Sequence, residues 1–171
     1  MINKKKKNLG FTIVEVLFAC AIISLSMFAL MQTAQKGIQL SNFAIRKTQA
    51  SLLTEEGAEV VKSIRDNNWA TIANLNLDVP YHLFFNTSTK TWSLDASSTN
   101  LTGCIPSYPI DSIFNRTIVV SAVGRDANDD ILETGGTTDI RTKKVTVTTS
   151  WPSPGSNSSK SLSFYISDIF D

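Results

Sequence analysis

The stretch KKKKNLGFTIVEVLFACAIISLSMFALM, residues 4–31, decides the fold of this 171-residue chain. Four lysines open it, and from Phe11 to Met31 the residues are apolar or small, with Glu15 carrying the only charge. A helix of about 21 residues crosses the roughly 30 Å hydrocarbon core of a bilayer. Because the lysines precede the apolar run, the positive-inside rule places the N-terminus in the cytoplasm. The stretch therefore predicts one membrane-spanning helix, with the rest of the chain outside.

Two ordinary export signals compete with this interpretation. A cleaved secretory signal has an apolar region of roughly 7–15 residues followed by a small-residue cleavage site. The apolar run here is longer, and no A-x-A pattern follows it. A lipoprotein signal would use Leu17–Cys20, but Phe18 is bulky for that pattern and the chain stays apolar beyond Cys20. Neither signal accounts for Glu15 or for the glycine that precedes the run.

The junction KNLGFTIVE, Lys7–Glu15, resembles the processing site of type IV prepilins and of the pseudopilins of type II secretion. Those families share a short basic leader ending in glycine and an FTLIE-like start to a hydrophobic helix. The matching positions are Gly10, Phe11, Thr12, Ile13, Val14 and Glu15, preceded by the basic residues Lys4, Lys5, Lys6 and Lys7. The resemblance implies that a prepilin peptidase cuts after Gly10 and that the new amine of Phe11 is methylated. Neither reaction is performed by this chain.

Glu15 is a charged residue inside an otherwise uncharged apolar segment, which requires an explanation. A carboxylate inside a membrane helix costs roughly 2.5–3.5 kcal/mol at the centre on insertion scales. Cleavage after Gly10 would create an amine one helical turn away, and the amine of a neighbouring subunit could pair with the carboxylate in a filament. The alternative is a superficial side chain that reaches the headgroups. We favour a role for Glu15 in filament assembly.

Helical periodicity continues beyond the membrane segment. There is no proline between Phe11 and Asp66, so we expect one helix of about 55 residues, roughly 80 Å long. The apolar residues predicted to face the head are Ile45, Leu52, Leu53, Val60, Val61 and Ile64. The opposite face carries Arg46, Lys47, Glu55, Glu59, Lys62 and Arg65. Many major pilins have a proline in the apolar half, so the resemblance favours a minor subunit.

After Trp69 the periodicity changes from 3.6 to 2, which indicates strands. We predict a hairpin of Tyr81–Phe85 and Thr91–Leu94, further strands at Thr117–Val123, Lys144–Trp151 and Ser161–Phe170, and a polar loop over residues 151–160. Val145, Val147 and Trp151 are predicted to share one face, as are Leu162, Phe164, Ile166 and Phe170. Half-buried strands need a cover, and the apolar face of the helix can supply it. The predicted fold class is α+β, a pilin-like helix packed against an antiparallel sheet.

The expected organisation has four parts. They are a basic leader over residues 1–10, a membrane or filament-core helix over 11–35, its amphipathic continuation over 36–66, and a β-rich head over 67–171. The two cysteines, Cys20 and Cys104, fall in the helix and the head, so no intramolecular disulfide is predicted.

The head offers weak signals for chemistry. Asp126, Asn128 and Asp130 begin like a calcium loop, but Ile131 replaces the expected glycine and Thr137 the bidentate glutamate. We therefore expect a solvated loop, with a weak cation site as the alternative. The single histidine, His82, lies in a strand pattern and is predicted to be structural. We expect no enzyme activity and no cofactor.

The net charge does not indicate nucleic acid binding. The chain carries a formal charge of +1, which becomes −3 once the four leader lysines are removed. The sequence then shows no basic patch that would suggest bulk binding of phosphate backbones.

The function predicted from these features is a structural subunit, a minor pilin or pseudopilin, of a type IV pilus or secretion-like filament. The resemblance implies four kinds of partner: the prepilin peptidase and methylase, other pilin or pseudopilin subunits, the inner-membrane assembly platform and membrane lipid. It implies a single pass in the cytoplasmic membrane before assembly and an extracytoplasmic or surface filament afterwards. Two alternatives stay open, a binding module at a filament tip and an uncleaved membrane-anchored envelope protein.

Overall fold

A computed structural model describes residues 12–96, 104–105 and 109–169. It divides the chain into two compact units that separate between Ala44 and Ile45. A single helix, α1, runs over Ile13–Asn67 and is 55 residues long. The predicted helix is therefore confirmed in length and in its C-terminal end, while its predicted first residue, Phe11, lies outside the described residues.

The first unit consists of the N-terminal part of α1. All its described residues, from Thr12 to Ala44, are exposed. In length and composition α1 is able to cross a membrane, and the apolar window that meets this test has no buried residue. An apolar surface this large is unfavourable in water, because each Å² left uncovered costs roughly 25 cal/mol. The N-terminal part of α1 therefore requires lipid or other helices around it.

The second unit combines the C-terminal part of α1 with an antiparallel sheet. Its elements are α2 (Ala70–Ala73), β1 (Pro80–Asn86), β2 (Thr91–Asp95), β3 (Cys104–Ile105), β4 (Asn115–Arg125), β5 (Ile131–Leu132), β6 (Thr137–Ser153) and β7 (Ser156–Ser167). The strand order is β2-β1-β4-β6-β7, with β3 beside β1 and β5 beside β4. All the strand pairs are antiparallel, and the chain has the predicted α+β, pilin-like architecture.

The core lies between α1 and the inner face of the sheet. The helix contributes Ala58, Val60, Val61 and Ile64, and the strands contribute Leu83, Ile118, Val120, Val145, Val147 and Ile166. A second cluster joins Ala50 to Ile110, Phe114 and Trp151. Between the two clusters, the buried hydroxyl of Thr54 donates to the Thr149 hydroxyl at 2.9 Å, so a polar pair is satisfied inside the core.

The prediction that two residues of the helix face the head is wrong. Ile45 and Leu52 are 54% and 61% exposed, although both were expected to face the head. The buried face instead includes the small residues Ala50, Gly57 and Ala58. Small side chains let a helix approach a sheet closely, so the packed face is chosen by fit as well as by hydrophobicity.

The β1–β2 hairpin forms as predicted, and Val145, Val147 and Trp151 are all buried. The predicted loop over residues 151–160 is wrong in extent, because β6 and β7 pair without a break up to Ser153 and Ser156. Pro154 and Gly155 make the turn, and Gly155 has a φ of +88°, a conformation that glycine adopts without strain. Serine-rich sequence therefore continues as strand here because each residue has a partner in the ladder. Phe170, predicted to end the last strand, lies outside the described residues.

Candidate functional site

The processing residues fall largely outside the described part of the chain. Gly10, Phe11 and the four leader lysines are not among the described residues, which begin at Thr12. The carbonyl oxygen of Thr12 accepts hydrogen bonds from the backbone of Glu15 at 3.0 Å and of Val16 at 3.3 Å, which starts the first turn of α1.

Glu15 lies in that first turn and is exposed. Unpaired backbone N–H groups give the start of a helix a partial positive charge, which favours a carboxylate there. No residue that the structure describes forms an ion pair with Glu15. Its carboxylate is therefore available to a cation supplied from outside the described chain.

The surface around Glu15 is apolar on all sides of the helix. The large hydrophobic side chains of this part of α1 are between 49% and 81% exposed. These side chains are Ile13, Val14, Val16, Leu17, Phe18, Ile22, Ile23, Leu25, Met27, Phe28, Leu30 and Met31. The hydroxyls of Ser24 and Ser26 each donate to a carbonyl four residues earlier, at 2.8 Å. Because these hydroxyls are satisfied within the helix, they do not need water and are compatible with an apolar environment.

The acidic loop between β4 and β5 is organised by its own backbone. The Asp126 Oδ1 atom accepts hydrogen bonds from the backbone N–H of Asn128 at 2.8 Å and of Asp130 at 2.9 Å. The Asp126 carboxylate is thereby engaged in shaping the loop. Among the described residues there is no group of three or more His, Cys, Asp or Glu side chains that could hold a metal. The weak cation site at Asp126, Asn128 and Asp130 stays a prediction.

Next to this loop, Arg125 ties β4 to β6. Its Nε donates to Asp139 Oδ2 at 2.7 Å, and its Nη1 donates to the backbone oxygen of Asp129 at the same distance. Hydrogen bonds from the side chains of Thr142 and Arg125 lower the pKa of Asp139 from 3.8 to about 2. The bond to Asp139 in turn raises the pKa of Arg125. These groups line an open cleft of about 540 Å³. Its positive charge comes from Arg125 and Arg141.

His82 and Arg116 have structural positions inside the head. His82 is buried, and its Nδ1 lies 3.2 Å from the backbone oxygen of Arg116. Arg116, which the sequence did not single out, is 1% exposed and contacts α1 through its guanidinium. The available signal was its position in an alternating strand, where Arg116, Ile118 and Val120 point to the same inner face.

Comparison with known families identifies the N-terminal segment. A family model described as the prokaryotic N-terminal methylation motif matches residues 5–31. The match includes Gly10, Phe11 and Glu15 and extends to the end of the apolar run. No match to the chain was found among curated proteins or among solved structures. The chain thus carries the N-terminal signature of type IV prepilins, and this signature leads into a long apolar helix and an α+β, pilin-like architecture.

Proposed function

We propose that the chain is a structural subunit, a minor pilin or pseudopilin, of a type IV pilus or type II secretion-like filament. A prepilin peptidase removes the leader after Gly10, Phe11 becomes the methylated N-terminus, and an inner-membrane platform draws the subunit into the filament. The observation that carries this proposal is the methylation motif at residues 5–31, which leads directly into an exposed apolar helix.

The apolar surface of α1 supports a function in two environments. Lipid can cover these side chains before assembly, and neighbouring helices can cover them afterwards, since both are apolar. Helices that leave lipid to pack together gain van der Waals contacts rather than hydrophobic transfer energy. Transfer between the two environments therefore does not require the subunit to refold.

Glu15 supports assembly specifically. A carboxylate with no partner is expensive once water is excluded, so its pairing with the amine of Phe11 on an adjacent subunit would favour the assembled state. The same pairing would set how far one helix slides along the next, because a misaligned helix would leave the carboxylate buried without a partner.

Ile45 and Leu52 add a contact surface in the second unit. They are seven residues apart, which places them on one side of the helix, and both are mostly exposed. Ala50, Thr54 and Gly57 occupy the side that packs on the sheet. An apolar pair turned away from its own head is a suitable surface for a helix of a neighbouring subunit.

The proposal is tested on the full chain expressed with its processing machinery. Peptide mass analysis of the N-terminus should show loss of residues 1–10 and a methylated Phe11. Sheared filaments should contain the processed chain. Recovery of the chain with its leader intact, in cells whose peptidase processes other prepilins, would contradict the proposal.

A further inference from the structure

A small basic groove lies between α1 and the edge strand β7. It has a volume of about 280 Å³ and is lined by Lys47, Thr48 and Ser51 of the helix and by Lys160 of the strand. Lys47 and Lys160 are exposed and form no ion pair with any part of the chain that the structure describes. The hydroxyl of Ser51 donates a 3.4 Å hydrogen bond to the carboxylate of Glu55 in the same helix.

Further positive charge lies at the same end of the sheet. Arg46 donates from Nη1 to the backbone oxygen of Pro152 at 3.2 Å, which holds its guanidinium beside the β6–β7 turn. Three cationic side chains thus collect where the helix passes this turn. They originate from residues 46–47 and residue 160, so only the packing of α1 against β7 brings them together. We name Arg46, Lys47 and Lys160 the basic end of the head.

Four carboxylates, three of them on exposed residues, lie at the other end of the sheet. Strand pairing places Lys160 in one row with Thr149 and Arg116, near the start of β4. The acidic loop follows Arg125, nine residues further along β4, and at roughly 3.3 Å per residue this is about 30 Å away. We name the carboxylates of this loop and of the residue after β5, which are Asp126, Asp129, Asp130 and Glu133, the acidic end of the head.

The acidic end keeps negative charge despite two nearby arginines. Arg125 lies 3.5 Å from Asp129, but the Asp129 side chain is 85% exposed. Arg141 lines the adjacent cleft together with the carboxylates of Asp139 and Asp168. Asp130 and Glu133 are exposed, and neither forms an ion pair with a described residue.

We propose that the basic end of one head receives the acidic end of a second copy of this chain, with Lys47 and Lys160 contacting Asp129 and Asp130. The inference deepens the proposed filament function and rests on it. Charge complementarity favours this occupant, because both halves of the contact are present on every copy and lie at opposite ends of one sheet. Such a head-to-tail contact uses two different surfaces, so it repeats as an open polar array rather than closing as a dimer.

The contact is exposed, so it acts mainly on register and specificity. Surface ion pairs are weak singly and are screened by salt within a Debye length of about 10 Å at 0.1 M. Two pairs together correspond to about a fivefold effect on association at low salt. The apolar helix supplies adhesion that does not depend on salt, whereas the two ends of the head determine which neighbour is accepted.

The experiment uses two differently tagged full-length chains, both carrying Cys20→Ala and Cys104→Ser. One has Lys160→Cys and the other Asp130→Cys, and cells are treated with a short bismaleimide before filaments are sheared. We expect a cross-linked species that contains both tags, with a yield that falls as salt is raised. The matched control replaces Lys160→Cys with Ser161→Cys, because Ser161 is the next exposed residue on β7 but points to the other face of the sheet. The control should give little of this species.

Charge reversal provides a second measurement. Lys47→Glu with Lys160→Glu should lower incorporation into sheared filaments about fivefold, and adding Asp129→Lys and Asp130→Lys to the same chain should restore it. Equal cross-linking of the control, failure of the restoration, or cross-links to a different protein would each overturn the inference. If the parent chain is processed and incorporated while these tests fail, only the inference is wrong. If the parent chain never reaches filaments, the proposed function is wrong as well.

Discussion

Arg116 of β4 donates a hydrogen bond from Nη1 to the backbone oxygen of Leu53 at 3.0 Å, and so joins the sheet directly to the helix backbone. The same nitrogen lies 2.9 Å from Glu56 Oε2. The Arg116 side chain is 1% exposed, whereas Glu56 is about half exposed, so the guanidinium reaches its partners from inside the core. Its Nε has no hydrogen-bond partner among the described residues. These bonds fix the position of α1 on the sheet. Burying the Arg116 guanidinium costs desolvation free energy in return.

Removing the Arg116 side chain should destabilise the head. Arg116→Ala leaves a cavity and removes two hydrogen bonds, and we expect the free energy of unfolding to fall by about 2–4 kcal/mol. Arg116→Met keeps most of the buried volume without a buried charge, so it should cost clearly less. Thermal unfolding of the detergent-solubilised full chain measures both. Glu59→Ala serves as control, because Glu59 is exposed, its ion pair is with Lys62 on the helix surface, and its loss should change stability by about 0.5 kcal/mol or less. Equal losses for the alanine and methionine variants would show that charge matters more than packing.

Gly57 is required by the same contact. A Cβ atom at this position would lie 2.9 Å from Val147 Cγ1 and 3.1 Å from Arg116 Cδ. Gly57→Ala gains up to about 1 kcal/mol of helix propensity, but overpacking costs about 1–3 kcal/mol, so we expect a net loss of stability. Gly37→Ala is the matched control, because nothing lies within 4 Å of its Cβ and only the gain remains. Unfolding measurements that show Gly57→Ala to be as stable as Gly37→Ala would contradict the close packing.

The hydrogen bonds of Asp139 should make stability depend on acid pH. The folded-state pKa of about 2 is below the ordinary value of 3.8, so the stabilisation is fully present above about pH 4 and is lost as the pH falls towards 2. The contribution is at most about 2 kcal/mol. Unfolding of the parent chain and of Asp139→Asn should therefore differ at pH 6 and converge near pH 2. Asp111→Asn, at an exposed position, should follow the parent throughout. A constant difference between parent and Asp139→Asn would exclude the titration of Asp139 as the cause.

Calcium should not bind tightly at the acidic loop. Asp126 already accepts two backbone hydrogen bonds, and Thr137 occupies the position where a calcium loop has its bidentate glutamate. Titration calorimetry of the solubilised full chain should show no saturable binding at micromolar calcium. Stoichiometric binding that disappears in Asp130→Asn would overturn this prediction and favour a binding module.

Replacing Glu15 should separate membrane insertion from filament assembly. Glu15→Val removes a costly charge from an apolar helix, so abundance and cleavage in the membrane should be unchanged or slightly higher. Incorporation into sheared filaments should fall severely, because the variant cannot form the charge pair that we propose with a neighbouring amine where water is excluded. Glu15→Asp should be intermediate, since it retains the carboxylate one methylene shorter. Quantitative immunoblots of membranes and sheared filaments measure both steps, and normal incorporation of Glu15→Val would remove Glu15 from the assembly proposal.

Local sequence patterns were sufficient to predict the helix and the N-terminal signature. The signature depends on residues next to one another in the chain, from the lysine run to Glu15, and the family comparison matches this region. The length of α1 follows from the apolar run, its amphipathic continuation and the absence of proline, all of which act within a few residues. The β1–β2 hairpin also follows from local alternation and a short polar connection.

Other features depended on partners distant in the chain. Hydrophobicity alone predicted that Ile45 and Leu52 would be buried, but the close approach of α1 to Val147 selected the small residues on another side of the helix. The serines of β7 were predicted to form a loop, but in the structure they pair with the backbone of β6 and continue as strand. Lys47 and Lys160 are 113 positions apart, and Leu53 and Arg116 are 63 apart, so no local pattern could pair them. Local sequence determined the N-terminal signature and an apolar helix that is long enough to cross a membrane. Only tertiary packing decided which surfaces its head presents, because side-chain volume and backbone hydrogen bonding are satisfied between distant segments.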